Sequence, residues 1–98
     1  ITRAVELNPD NGYYADSLGW IYFKIGEMNK AVIWLERAIR LAPDDPVIHE
    51  HLGDVYWHLE RPLEARYKWQ FAYEMYSDEE TRKLVSEKIN LGLSQGLD

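Results

Sequence analysis

Leu18-Gly19-Trp20-Ile21-Tyr22 and Leu52-Gly53-Asp54-Val55-Tyr56 set down the same Leu-Gly-x-x-Tyr pattern twice, one 34-residue step apart. The step holds well beyond these residues. Ala31 recurs as Ala65, Pro9 as Pro43, and Ala4 as Ala38 and Ala72, while Leu7, Leu41 and Met75 keep an apolar side chain in phase and Asp10, Asp44 and Asp78 an acidic one. A fixed period of this length is the signature of stacked supersecondary units, each burying its apolar face only against its neighbours. Inside each unit the apolar residues fall at helical spacing: Leu18, Ile21, Tyr22 and Ile25, then Val32, Leu35 and Ile39, with Leu52, Val55, Tyr56 and Leu59 repeating the first set. Each unit therefore reads as a pair of helices.

Punctuation residues set the helix limits. Gly26 tolerates a positive φ after a first helix, and Asp45-Pro46 reads as an N-cap followed by proline where its missing N–H is harmless. Pro62 opens the next helix in the same way. The spacing predicts helices to about residue 7 and over 13–25, 29–41, 46–59, 62–76 and 79–91. Connections this short force antiparallel neighbours, and small residues set their approach, Gly19 against Ala31 and Gly53 against Ala65.

Composition narrows the function classes. The 98 residues, 46% hydrophobic and 29% charged, suit one small domain with its own core and not a disordered chain. The absence of cysteine excludes disulfides, a Cys nucleophile and thiolate metal sites. With 11 Lys+Arg against 17 Asp+Glu the net charge is -6, which argues against binding nucleic acid, since a phosphate backbone needs a basic face. No apolar run approaches the roughly 20 residues that cross a bilayer, so direct membrane insertion is not expected. The first residue is Ile1 and not methionine, so the chain is expected to be a fragment of a longer array whose location stays open.

A 34-residue unit with Leu-Gly, Tyr three residues later, then Gly, Ala, Ala and a closing Pro resembles the tetratricopeptide repeat family. Counted from Gly12 the matching residues are Leu18, Gly19, Tyr22, Gly26, Ala31, Leu35, Ala38 and Pro43; counted from Pro46 they are Leu52, Gly53, Tyr56, Ala65, Trp69 and Ala72. The departures are Ala15 and His49 in place of an early Trp, Glu60 in place of the second Gly, and Ser77 in place of the last Pro. The resemblance implies an all-α, right-handed α-solenoid of antiparallel helix pairs with a C-terminal capping helix. Residues 1–11 would be the second helix of a truncated preceding repeat, 12–45 and 46–78 two repeats, 79–91 the cap around Leu84, Val85, Ile89 and Leu91, and 92–98 a tail. It is also similar to the last repeats of bacterial members of the family, leaving the cytoplasm and the periplasm or envelope both open.

In that family the first helix of each pair lines a concave groove. Carried over, the groove is Tyr13, Asp16, Ser17, Trp20, Phe23 and Lys24 from one unit and Val47, Glu50, His51, Asp54, Trp57 and His58 from the next, with Leu84 and Lys88 added by the cap. Members that clamp a C-terminal carboxylate place cationic and amide donors here, but this chain has Asp16, Trp20, Glu50, His51 and Asp54, so like charges would repel that ligand. Residues 44–61 carry Arg61 against five carboxylates, and all three histidines. The expected function is a non-catalytic interaction scaffold whose acidic floor and aromatic walls (Trp20, Phe23, Trp57) bind a basic or apolar-basic segment of a partner protein.

Other readings of the same residues are available. Glu50 and Asp54 are also what a solvated face would carry, and Trp57 sits where family members more often place a packing aromatic. Trp69 takes a core position; Trp34 and Tyr67 suit either packing or a convex patch. A structural or assembly module with no groove ligand is the alternative function, as a homodimer through the truncated end at Ile1 and Val5. His51, Asp54 and His58 share a helix face, but about 10 Å of rise separates the two histidines, too far for one tetrahedral metal. Ser17, His51 and Asp54 have the residue types of a hydrolytic triad without a nucleophile elbow, and no glycine loop for a phosphate or dinucleotide cofactor is present.

Overall fold

Capping chemistry places the first helix. Asn11 takes an extended conformation and its side chain accepts from the backbone N–H groups of Tyr13 (2.9 Å) and Tyr14 (3.2 Å), so α1 begins at once, Gly12–Lys24. Four more helices follow in this computed structural model, which describes residues 11–93: α2 Met28–Leu41, α3 Pro46–His58, α4 Pro62–Met75 and α5 Glu79–Leu91. Among the described residues there is no strand. Asp45 caps α3 through the Val47 N–H at 2.9 Å with Pro46 at the first helical position, and Asp78 caps α5 through the Thr81 N–H and hydroxyl. All five helices lie within one residue of the limits that the spacing predicts. The expected helix near residues 1–7, the contact through Ile1 and Val5 and most of the tail lie outside the described residues.

The turn inside each pair needs a left-handed residue. Gly26 supplies it between α1 and α2 at φ 84°, and one repeat later Glu60 takes φ 60° between α3 and α4. The backbone therefore keeps the turn although glycine is gone, at a steric penalty that a β-carbon always brings in this region.

Each helix packs mainly on the next, α1 on α2, α2 on α3, α3 on α4 and α4 on α5, and α1 also meets α3. The result is an all-α solenoid of helix pairs. Its core runs through Ala31, Leu35, Leu52, Val55, Tyr56, Ala65, Trp69, Ala72 and Val85, with a smaller cluster of Ala15, Ala38 and Ile48 on which Trp34 packs. Trp69 is fully buried. Tyr67 stays 73% exposed.

Close approach occurs at the glycines, with one partner changed. A β-carbon on Gly19 would lie 2.7 Å from Leu35, one turn beyond the Ala31 expected to face it, because the Leu35 side chain reaches back over the crossing point. At Gly53 the β-carbon would lie 2.5 Å from the Trp69 ring and 3.1 Å from the Ala65 carbonyl. Gly53→Ala should accordingly lower the unfolding free energy by about 1–3 kcal/mol in urea titrations, by forcing a fully buried ring off its seat.

His49 carries a second consequence of packing. Its ring stacks on Phe71 at 4.0 Å and its Nε2–H donates to the Pro43 carbonyl at 2.7 Å, which leaves Nδ1 unprotonated, buried and without a partner. Burial holds its pKa below the ordinary 6.5, helped by Lys68, while the Pro43 carbonyl and the carboxylates of Asp45 and Asp44 pull the other way. The folded chain thus binds this proton less readily than the unfolded chain, so stability is full above about pH 6.5 and falls as the pH drops below it. The urea midpoint should fall between about pH 7.5 and 5.5, and by less in His49→Gln.

Candidate functional site

The first helices α1 and α3 contribute to a common face because the 34-residue step returns the same side of the helix to it, and α5 adjoins α3 through Lys88. Two polar clusters cross-link that face. In the first, the Nδ1–H of His51 on α3 donates to Asp16 Oδ1 on α1 at 2.8 Å, and the His51 ring stacks on Trp20 at 3.9 Å. Trp20 is stacked in turn on Phe23 at 4.6 Å, with the Lys24 ammonium 5.4 Å from its ring. Phe23 packs on the core and meets the His58 ring edge-on at 5.1 Å, and His58 Nδ1 donates to the Asp54 carbonyl at 3.0 Å.

The second cluster joins α3, α4 and α5. Lys88 Nζ lies 2.6 Å from Glu50 Oε2 and 3.0 and 3.2 Å from the two oxygens of Asp54. Asp54 also accepts from the Trp69 indole at 3.0 Å, and Glu50 from the Tyr76 hydroxyl at 2.7 Å. Burial pushes the Asp54 carboxyl above its ordinary value, against the opposing pull of Lys88. Burial acts on Lys88 in the sense that would release its proton, but Asp54 and Glu50 outweigh it and hold the ammonium above its ordinary value. Burial and the bond to Glu50 raise the Tyr76 phenol as well.

The carboxylates expected to form an open acidic floor are therefore held within the chain. Asp16 and Asp54 are buried and Glu50 half-buried, each with an internal donor, because a carboxylate leaving water needs one. Lys88 likewise points back at α3 instead of lining an open groove. Among the other expected groove residues, Tyr13 is 70% and Val47 41% exposed, Lys24 is exposed, and Ser17, Trp20, Phe23, Trp57 and His58 are half-buried. Trp57 tilts against Trp69 at 5.7 Å, lies under the Arg66 guanidinium at 5.1 Å and presses on Gly92 where no β-carbon would fit. It serves mainly as packing. His51, Asp54 and His58 turn to different partners, and among the described residues no three His, Asp or Glu side chains converge on a point where a metal would sit.

Lys88 as the clamp on α3 is what the sequence reasoning missed. A signal existed: Val85, Ser86 and Ile89 follow Leu52, Gly53 and Tyr56 one position short of a full repeat, so α5 carries the first-helix pattern one residue early, and Lys88 falls where α3 has the buried Val55.

Antiparallel helix pairs at a 34-residue step define a helical-repeat module. A family model described as TPR repeat matches residues 19–59. A TPR repeat-containing protein of Pseudomonas aeruginosa is 39% identical over 54 residues, which are 55% of this chain and 9% of that protein. The chain thus spans about a tenth of that relative's length. The matched stretch, residues 19–59, is thus similar to tetratricopeptide repeats, which generally mediate contacts between proteins. No helix among the described residues is long and apolar enough to cross a membrane.

The Asp16–His51 hydrogen bond ties α1 to α3. His51→Phe keeps a ring on Trp20 but leaves a carboxylate, 11% exposed, without its donor. It should lose about 1–3 kcal/mol in urea unfolding, and pairing it with Asp16→Leu should recover most of that loss, since removing both partners leaves no stranded charge.

Proposed function

We propose that the chain is a non-catalytic interaction module, comprising the two repeats 12–45 and 46–78 and the capping helix, whose first-helix face holds a segment of a partner protein. The observation that carries this reading is Trp20, a half-buried indole stacked against His51 and Phe23 on a face whose helices are cross-linked by Asp16–His51. A large ring fixed in one orientation contributes contact area with little entropy left to lose. Tyr13 and Val47, in the first turns of α1 and α3, are exposed as well.

The preferred partner is an apolar-basic segment. With three carboxylates engaged internally, the preference for positive charge comes less from free acids in the groove than from the field of a chain at -6. That field acts on the approach of a basic segment, while Trp20 and Tyr13 supply the anchors once it has docked.

An array of immobilised 15-residue peptides, apolar-basic, apolar-acidic and scrambled, tests this. Apolar-basic peptides should be retained preferentially, more weakly at high salt, and Trp20→Ala should weaken them at least five-fold with helicity unchanged by circular dichroism. Equal retention of all classes, or no effect of Trp20→Ala, would overturn it.

A further inference from the structure

Both junctions between successive first helices carry a polar cross-link, but they differ at one equivalent position. Val55 is fully buried in the core shared with Ala31 and Leu35 of the preceding pair, whereas Lys88, its counterpart on α5, brings an ammonium into the same place. Two carboxylates, Glu50 and Asp54, meet it. An ion cluster that has left water returns much of its attraction as lost hydration, so this junction holds less firmly than an apolar one of the same size.

The remaining attachments of α5 are sparse. Val85 is its one buried residue, against seven on α3 that include Ile48, Leu52, Val55 and Tyr56. Ile89 and Leu93 pack only partly on the core. Otherwise α5 is held by Arg66, whose Nε donates to the Ile89 carbonyl at 2.9 Å, and by Arg82, whose Nε donates to the Tyr73 carbonyl at 3.2 Å and whose guanidinium lies 4.3 Å from the Tyr73 ring. Leu84 and Leu91 stay 60% and 79% exposed.

We infer that α5 is a displaceable plug, and that the slot it fills on α3 and α4 accepts in its place a partner helix with a small branched apolar residue and, three positions later, a lysine. The slot itself sets that chemistry. Asp54 is fixed in it by the Trp69 indole, so an occupant without a cation at this depth strands a buried carboxylate, while the place of Val85 demands an apolar group one turn earlier. A helix so equipped recreates the contacts that Val85 and Lys88 give up. The inference goes beyond the groove reading and stands without it, because neither Trp20 nor Tyr13 takes part in the slot.

Hydrogen exchange on the full chain, resolved by helix, is the first test. Backbone amides of α5 should exchange at least ten-fold faster than the slowest amides of α3 and α4, and exchange at a common rate in all three would overturn the inference. The second test adds a labelled peptide with the sequence of residues 78–93. It should bind the full-length Lys88→Ala variant at least ten-fold more tightly than the wild type, and a peptide carrying glutamate at its Lys88 position should not bind. Equal binding to wild type and variant would overturn the inference. If Lys88→Ala does not fold, the wild-type exchange pattern decides alone. A wild-type dimer in sedimentation that the peptide dissociates would overturn the assignment to a partner and give the slot to the α5 of a second copy. Trp20→Ala should leave peptide binding unchanged, which separates a failure here from a failure of the groove reading.

Discussion

A tryptophan ring fills the space that Gly53 leaves bare, and its one polar atom has to find an acceptor inside the core. Trp69 meets that requirement with Asp54, and much of the C-terminal half follows from the bond. A carboxylate drawn into the interior needs a compensating cation, and Lys88 comes from α5 to supply it. Glu50 shares the ammonium and takes the Tyr76 hydroxyl, so the end of α4 is tied to α3 by the same cluster. A single indole thus links the close crossing of one helix pair to the placement of the next helix.

The same logic explains why the first-helix face differs from a plain acidic groove. Each carboxylate on it lies where a neighbouring helix removes water, and each has acquired a donor from that neighbour. The exposed side chains left on these helices include Tyr13 and Val47. Trp20 and Trp57 are both half-buried, Trp20 held by His51 and Phe23 and Trp57 closed in by Trp69, Arg66 and Gly92.

The fold was legible because its information is periodic. Leu-Gly-x-x-Tyr at a fixed step identifies a helix and its buried side at once, and Asp45-Pro46 and Gly26 mark ends by local chemistry that depends on nothing distant. The choice of which aromatic packs was partly legible, since Trp69 occupies a core phase. Pairings across helices were not. Asp16 meets His51 one residue away from the repeat step, and Lys88 meets Glu50 and Asp54 from a helix that carries the repeat pattern one residue early. Such contacts depend on side-chain reach and on the register between helices, which composition and periodicity leave undetermined. The replacement of Ala31 by Leu35 at Gly19 has the same origin, a side chain leaning over the turn behind its own α-carbon.

Each helix finds its main partner in the next helix along the chain, across links of only three or four residues. Contacts of this kind close little loop entropy, so the chain belongs among the rapid folders of low contact order. During synthesis α1 and α2 can meet before α3 is complete, and Ile48, Leu52 and Val55 of α3 then close their core. Acquisition of structure then runs in step with translation, each new helix docking on a template already in place.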